Sequence, residues 1–167
     1  MTITSKIKIG TISGLSVLII AMIFSDKAQP SSVELYALKR LQEKFFMAIK
    51  TNPRDKIDYY NILLDKRLEE LKAIIKNRES NLILSSSLRY STTAGLMTEI
   101  IRSNLLTDVV SPTKEKFKKH QEILKNLDDS YPKDEGEEWK FIQDDYNYLS
   151  IYSQQLTDVF GNKIKDK

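Results

Sequence analysis

The spacing of apolar residues is what most narrows the fold open to this chain. Ile57, Tyr60, Leu64, Leu68, Leu71 and Ile75 recur at intervals of three and four, the period of one face of an α-helix. Asp58, Asp65, Lys66, Glu69, Lys72 and Lys76 fill the other side. The pattern predicts a helix from Pro53 to about Glu79, with Asn52 as its cap and Pro53 in the first helical position, where a missing N–H costs nothing. The same period recurs before and after it. Leu35, Leu38, Leu41, Phe45, Phe46 and Ile49 line a helix that opens at the capping box Ser31/Glu34 and runs to about Lys50. A third stretch covers about Leu82 to Val110. It is rich in Ser, Thr and Ala, which permits close approach of a neighbour, and Gly95 is its candidate break. A fourth helix from Pro112 to about Leu127 carries Phe117, Ile123, Leu124 and Leu127. An acidic loop Asp128–Glu138 precedes a last helix from about Glu137 to Phe160, with Gly161 as its expected C-cap.

Five Gly and four Pro in 167 residues leave few breaks, and 41% apolar residues suffice for a core. The expected fold class is therefore all-α: an N-terminal transmembrane or signal helix followed by a bundle of four to five amphipathic helices. The absence of cysteine excludes disulfides, thiolate metal sites and Cys nucleophiles.

The N-terminal helix is expected from a different signal. Ile9 to Ser25 holds no charge, while Lys6 and Lys8 precede it and Asp26 and Lys27 follow. As a helix the run reaches roughly 26 Å, close to the thickness of a bilayer's hydrocarbon core. The basic flank predicts that residues 1–8 stay in the cytoplasm and that everything after the run lies outside it. A cleaved signal peptide shares the layout, although the exit around Ser25 to Ala28 lacks good small-residue spacing. A buried core helix is the third reading. The expected organisation is 1–8 cytoplasmic N-terminus, 9–25 anchor or signal, 26–30 linker, 31–110 helical region, 111–160 a helical pair completing the bundle, and 161–167 a basic tail. The expected location is the cell membrane, single-pass, or the exterior after cleavage. Without Lys6 and Lys8 the 26 basic residues become 24 against 23 acidic. That balance argues against a nucleic-acid partner, which needs a concentrated basic patch, and none is expected.

The run from Ser31 to Ile75 resembles a bacterial family known as domain of unknown function 5667. Tyr36, Lys39 and Glu43 match an aromatic-x-x-Lys start with its following Glu. Arg67, Leu68, Glu70 and Leu71 match an Arg-Leu-x-Glu-Leu stretch on the next helix. The resemblance covers Pro30 to about Ile101, and a hydrophobic segment ahead of the domain is usual in it. It implies an outward-facing helical hairpin and no assigned activity.

Candidate chemistry is sparse. His120 is the only histidine and sits beside Lys118 and Lys119, which would repel a cation; it reads as a solvated surface residue. No Gly-x-Ser-x-Gly turn or Gly-rich phosphate loop occurs, and the acidic loop departs from EF-hand spacing. No cofactor, metal or small-molecule substrate is expected. Arg67 falls inside the apolar face of its helix and must find a partner; Glu70 and Gln42 are the candidates for a structural lock. On the last helix Trp139, Ile142, Tyr146, Leu149, Leu156 and Phe160 form a core stripe. Phe141, Tyr148, Tyr152 and Val159 form a second stripe beside it. That stripe is either buried between neighbours or an interaction face for a protein partner or a second copy. These features lead to the expectation of a non-enzymatic, membrane-tethered, extracytoplasmic binding module. A sensory or regulatory element acting through a membrane partner is the alternative, and a carboxylate-based enzyme the third.

Overall fold

The computed structural model describes residues 33–134 and 136–165, with side chains described between 36 and 158. Among them there are five α-helices and no strand. They are α1 (Val33–Ala48), α2 (Pro53–Lys76), α3 (Ser80–Ser103), α4 (Val110–Ser130) and α5 (Trp139–Lys165), with a single 3-10 turn at Thr107–Val109. No helix of the described residues is long and apolar enough to cross a membrane. The expected anchor at 9–25, the linker at 26–30 and Ser31 of the expected capping box lie outside them.

The chain divides after Ile49 into two compact units. In the first, α1 carries the Tyr36 ring with the Lys39 ammonium 5.8 Å from its centroid, and the Phe45 and Phe46 rings pack edge-on at 6.0 Å. The second unit, from Lys50 onward, is a four-helix bundle of α2 to α5.

Asn52 caps α2 as the sequence predicts: its side-chain oxygen accepts from the Arg54 N–H at 2.9 Å, and Pro53 follows. Ile57, Leu64, Leu68 and Leu71 of α2 are buried, and Leu63 and Ile74 join them. All but Leu63 meet Ile83, Tyr90, Met97 and Ile101 of α3, Phe117 and Leu124 of α4, and Ile142, Leu149 and Leu156 of α5 in one core. Helix α2 pairs extensively with α3, α4 with α5, and α3 with α5, while α2 touches α4 lightly. Around the bundle the order is thus α2, α3, α5, α4. Consecutive helices run antiparallel, so α3 lies parallel to α5, and the link Asn104–Val109 crosses one end of the bundle diagonally. Bidentate pairing of Arg54 with Asp108 ties that link to the start of α2.

Several helix boundaries differ from the sequence reading. The third helix ends at Ser103 rather than Val110, because Leu105 adopts a left-handed conformation with φ 53°. Its N–H donates to the Arg102 carbonyl at 3.3 Å, and the Leu106 N–H donates to that of Ile101 at 3.0 Å, the Schellman closure. Arg78, at φ 59°, closes α2 the same way. Helix α3 runs unbroken through Gly95. That glycine receives the Tyr152 ring, and a Cβ there would lie 2.9 Å from the Tyr152 hydroxyl. Helix α4 takes in Asp128 and Asp129, so the expected acidic loop is shorter, and α5 continues through Gly161 rather than capping there.

Candidate functional site

Two features of the bundle carry chemistry: a polar layer across the middle of the core, and an apolar seam on the surface above it. The polar layer starts on α4. Thr113, Phe117, His120 and Leu124 follow one another at intervals of four, three and four, and all are buried. His120 is only 6% exposed, so it is not the solvated residue its lysine neighbours suggested. Lys118 and Lys119 point outward while Phe117 and Leu124 carry the imidazole in. Tyr90 of α3 and Asp65 of α2 supply the hydrogen bonds that burial demands. The Tyr90 hydroxyl lies 3.0 Å from His120 Nδ1, and His120 Nε2 lies 3.0 Å from Asp65 Oδ1.

The proton assignment follows from the partners. A carboxylate only accepts, so Nε2–H donates to Asp65, and Nδ1 accepts from the Tyr90 O–H. Burial holds the His120 pKa below its usual value, with Lys116 adding to the depression and Asp65 opposing it. Burial lifts the Tyr90 phenol well above its ordinary range, helped by Asp145 and Asp65. Both groups are therefore neutral at pH 7. Lys116 fixes the outer end of the chain, donating to both Asp65 carboxylate oxygens at 2.9 and 2.7 Å and to the Asn61 carbonyl at 3.2 Å.

Asp145 lies on the α5 side of the same layer. It occupies the core stripe between Ile142 and Leu149 and is 0% exposed. Neither carboxyl oxygen has a hydrogen-bond partner of normal geometry. The Ser87 and Ser91 hydroxyls are close enough to hold its pKa down somewhat. Both also donate to carbonyls: Ser87 to Phe141 at 3.2 Å, and Ser91 to Ser87 at 3.1 Å. Burial outweighs them and, with Asp144 alongside, pushes the carboxyl up to about 8. At neutral pH Asp145 is a buried carboxylic acid. The sequence reading passed over it, although its place three residues after Ile142 and four before Leu149 was the available signal.

Over this layer the α3–α5 seam presents apolar side chains to solvent. Leu84 is 45% exposed, Leu88 56% and Tyr148 43%. The register set by Ser87 against Phe141 and Gly95 against Tyr152 places Leu88 level with about Ile142 and Leu84 about one turn earlier. The second stripe expected on α5 therefore divides. Phe141 and Tyr152 are partly buried against the core, while Tyr148 stands out from it, its ring stacked on Tyr152 at 6.1 Å between centroids. The Val159 side chain lies outside the described residues.

Arg67 and Glu70 do come together. Arg67 Nη1 reaches the Glu70 carboxylate oxygens at 3.0 and 3.2 Å, with both side chains almost fully buried. Gln42, the third member of the expected lock, belongs to α1 in the first unit. Near the former acidic loop, Lys133 pairs with Asp128 at 3.2 Å and lies 4.7 Å from the Trp139 ring centroid. Among the described residues no three His, Asp or Glu side chains gather as a metal ion would require.

Residues 28–134 match the family described as domain of unknown function (DUF5667). The match extends past Ile101, where the sequence resemblance stopped, and takes in α4. No curated protein matches the chain. No solved structure matches it either.

Proposed function

The chain belongs to the family described as domain of unknown function (DUF5667), and from that premise we propose that it is a membrane-tethered, extracytoplasmic helical module that binds a protein partner and performs no catalysis itself. The observation that carries this reading is the α3–α5 seam, where Leu84, Leu88 and Tyr148 are each exposed on a bundle with a closed core. Apolar and aromatic side chains held on rigid helices suit the apolar face of a partner segment, because little conformational entropy is lost when they are covered. Tethering rests on the uncharged run Ile9–Ser25 and the lysines ahead of it.

Site-specific photo-crosslinking tests the reading. A benzophenone on Thr92→Cys, an exposed position of α3 one turn beyond Leu88, in the intact protein in membranes, should capture a discrete partner, and Leu88→Asp with Tyr148→Ser should abolish the capture while leaving thermal melting nearly unchanged. Capture unaffected by the double substitution would refute the assignment of the seam.

A second reading, a sensory or regulatory element acting through a membrane partner, is favoured by the layer beneath the seam. The buried Asp145 carboxyl changes charge near pH 8, and a partner on the seam would feel that change through α3 and α5.

A further inference from the structure

The exposed face of α1 fits a different surface. Leu41 is 59% exposed, Phe45 55% and Ile49 57%. At 100° per residue these three fall within about 80° of one another, a continuous apolar stripe along the helix. Arg40 and Lys44, both exposed, border the stripe on one edge beside Ala37 and Leu41. An apolar stripe with cations along its rim is the pattern of a helix lying in a membrane interface.

We infer that α1 lies flat on the bilayer surface, with Leu41, Phe45 and Ile49 entering the acyl boundary and Arg40 and Lys44 meeting anionic headgroups. The inference rests on the membrane tethering proposed above. Only residues 26–32 separate the apolar run from Val33. Fully extended, that linker spans at most about 25 Å, so α1 cannot leave the neighbourhood of the surface. Confinement of this kind raises the effective concentration of lipid around the stripe, and a modest intrinsic affinity then suffices.

The absence of cysteine makes the test direct. Full-length Phe45→Cys, Leu41→Cys and Thr92→Cys each carry one polarity-sensitive dye and are reconstituted in vesicles of three parts phosphatidylcholine to one part phosphatidylglycerol. The dye at Phe45→Cys and at Leu41→Cys should shift to the blue and lose most of its emission to brominated acyl chains, while the dye at Thr92→Cys should do neither. Pure phosphatidylcholine, or the Arg40→Glu, Lys44→Glu background, should reduce the quenching severalfold. Protein that floats with the vesicles but leaves the Leu41 and Phe45 dyes in water would overturn the placement of α1 while preserving the tether. Blue-shifted emission that brominated lipid does not quench, with disulfide dimers of unlabelled Phe45→Cys, would replace the lipid by a second copy. Failure to float would refute the tethering itself.

Discussion

A single carboxyl group sets much of the pH behaviour expected of this bundle. Asp145 has its pKa raised to about 8 in the fold by burial, whereas in the unfolded chain it ionises near the usual value of about 4. Between those limits the folded state holds a proton that the unfolded state has released, so stability falls as pH rises. His120 works in the opposite sense. Its folded pKa is depressed, so its contribution is complete above the unfolded value of about 6.5 and is lost as pH falls below it. The two slopes oppose each other below about pH 6.5, and above it only that of Asp145 remains. Denaturant melts of the protein should therefore lose stability steadily from about pH 6.5 to 8. Asp145→Asn should remove that loss and gain about 2–4 kcal/mol at pH 7, the amide's own burial offsetting part of the benefit. An Asp145→Asn protein that is less stable than the parent at pH 7 would mean that the carboxyl is satisfied and ionised in the fold. Both residues were readable in part. Each sits on its helix's apolar stripe at spacings of three and four, but neighbouring lysines made His120 look exposed, and Asp145 was passed over beside Asp144. What a sequence does not reveal is the pair of partners on other helices, Tyr90 and Asp65, that makes a buried imidazole tolerable.

Helix faces are local properties and helix ends are less so, which explains where the elements differ from expectation. The stripe Ile57, Leu64, Leu68, Leu71 follows from periodicity alone, and Asn52–Pro53 is a start signal written in two residues. The end of α3 carries no such signal, because its left-handed position is filled by Leu105 and not by glycine. Gly161, which looks like a stop, lies within α5 instead. A left-handed leucine is strained by its Cβ, so Leu105→Gly should stabilise the protein by about 1 kcal/mol. Calorimetry showing a loss of that size would mean that Leu105, though 47% exposed, contributes more by packing than its conformation costs. Helix α5 permits a second test. Tyr152 fills the notch at Gly95, while Tyr148 is 43% exposed. Tyr152→Ser should cost roughly 2 kcal/mol and Tyr148→Ser well under 1. Equal costs would place the two rings in equivalent surroundings and remove the distinction between packing residue and surface residue within that stripe.

At the scale of the whole molecule, the helical class and the number of faces follow from the sequence, but the order of helices around the core does not. Short links ordinarily join neighbours in a bundle. Here the link Asn104–Val109 joins helices that stand diagonally, because the small residues Ser87, Ser91 and Gly95 on α3 accept α5 closely and leave α4 to the far side. Those residues looked like weak helix formers, and their value lies in a contact some fifty positions away. The core they help to close draws on α2, α3, α4 and α5, and the chain divides just before α2, after Ile49. A chain beginning at Lys50 therefore retains every residue of that core. It should be strongly helical by circular dichroism and melt in one cooperative transition within about 5 °C of a chain beginning at Val33, the shift expected for a change of about 1 kcal/mol or less. A broad transition, or a midpoint lowered by much more than that, would show that the bundle draws its stability from α1, and the division after Ile49 would then be one of geometry without a matching division of folding free energy.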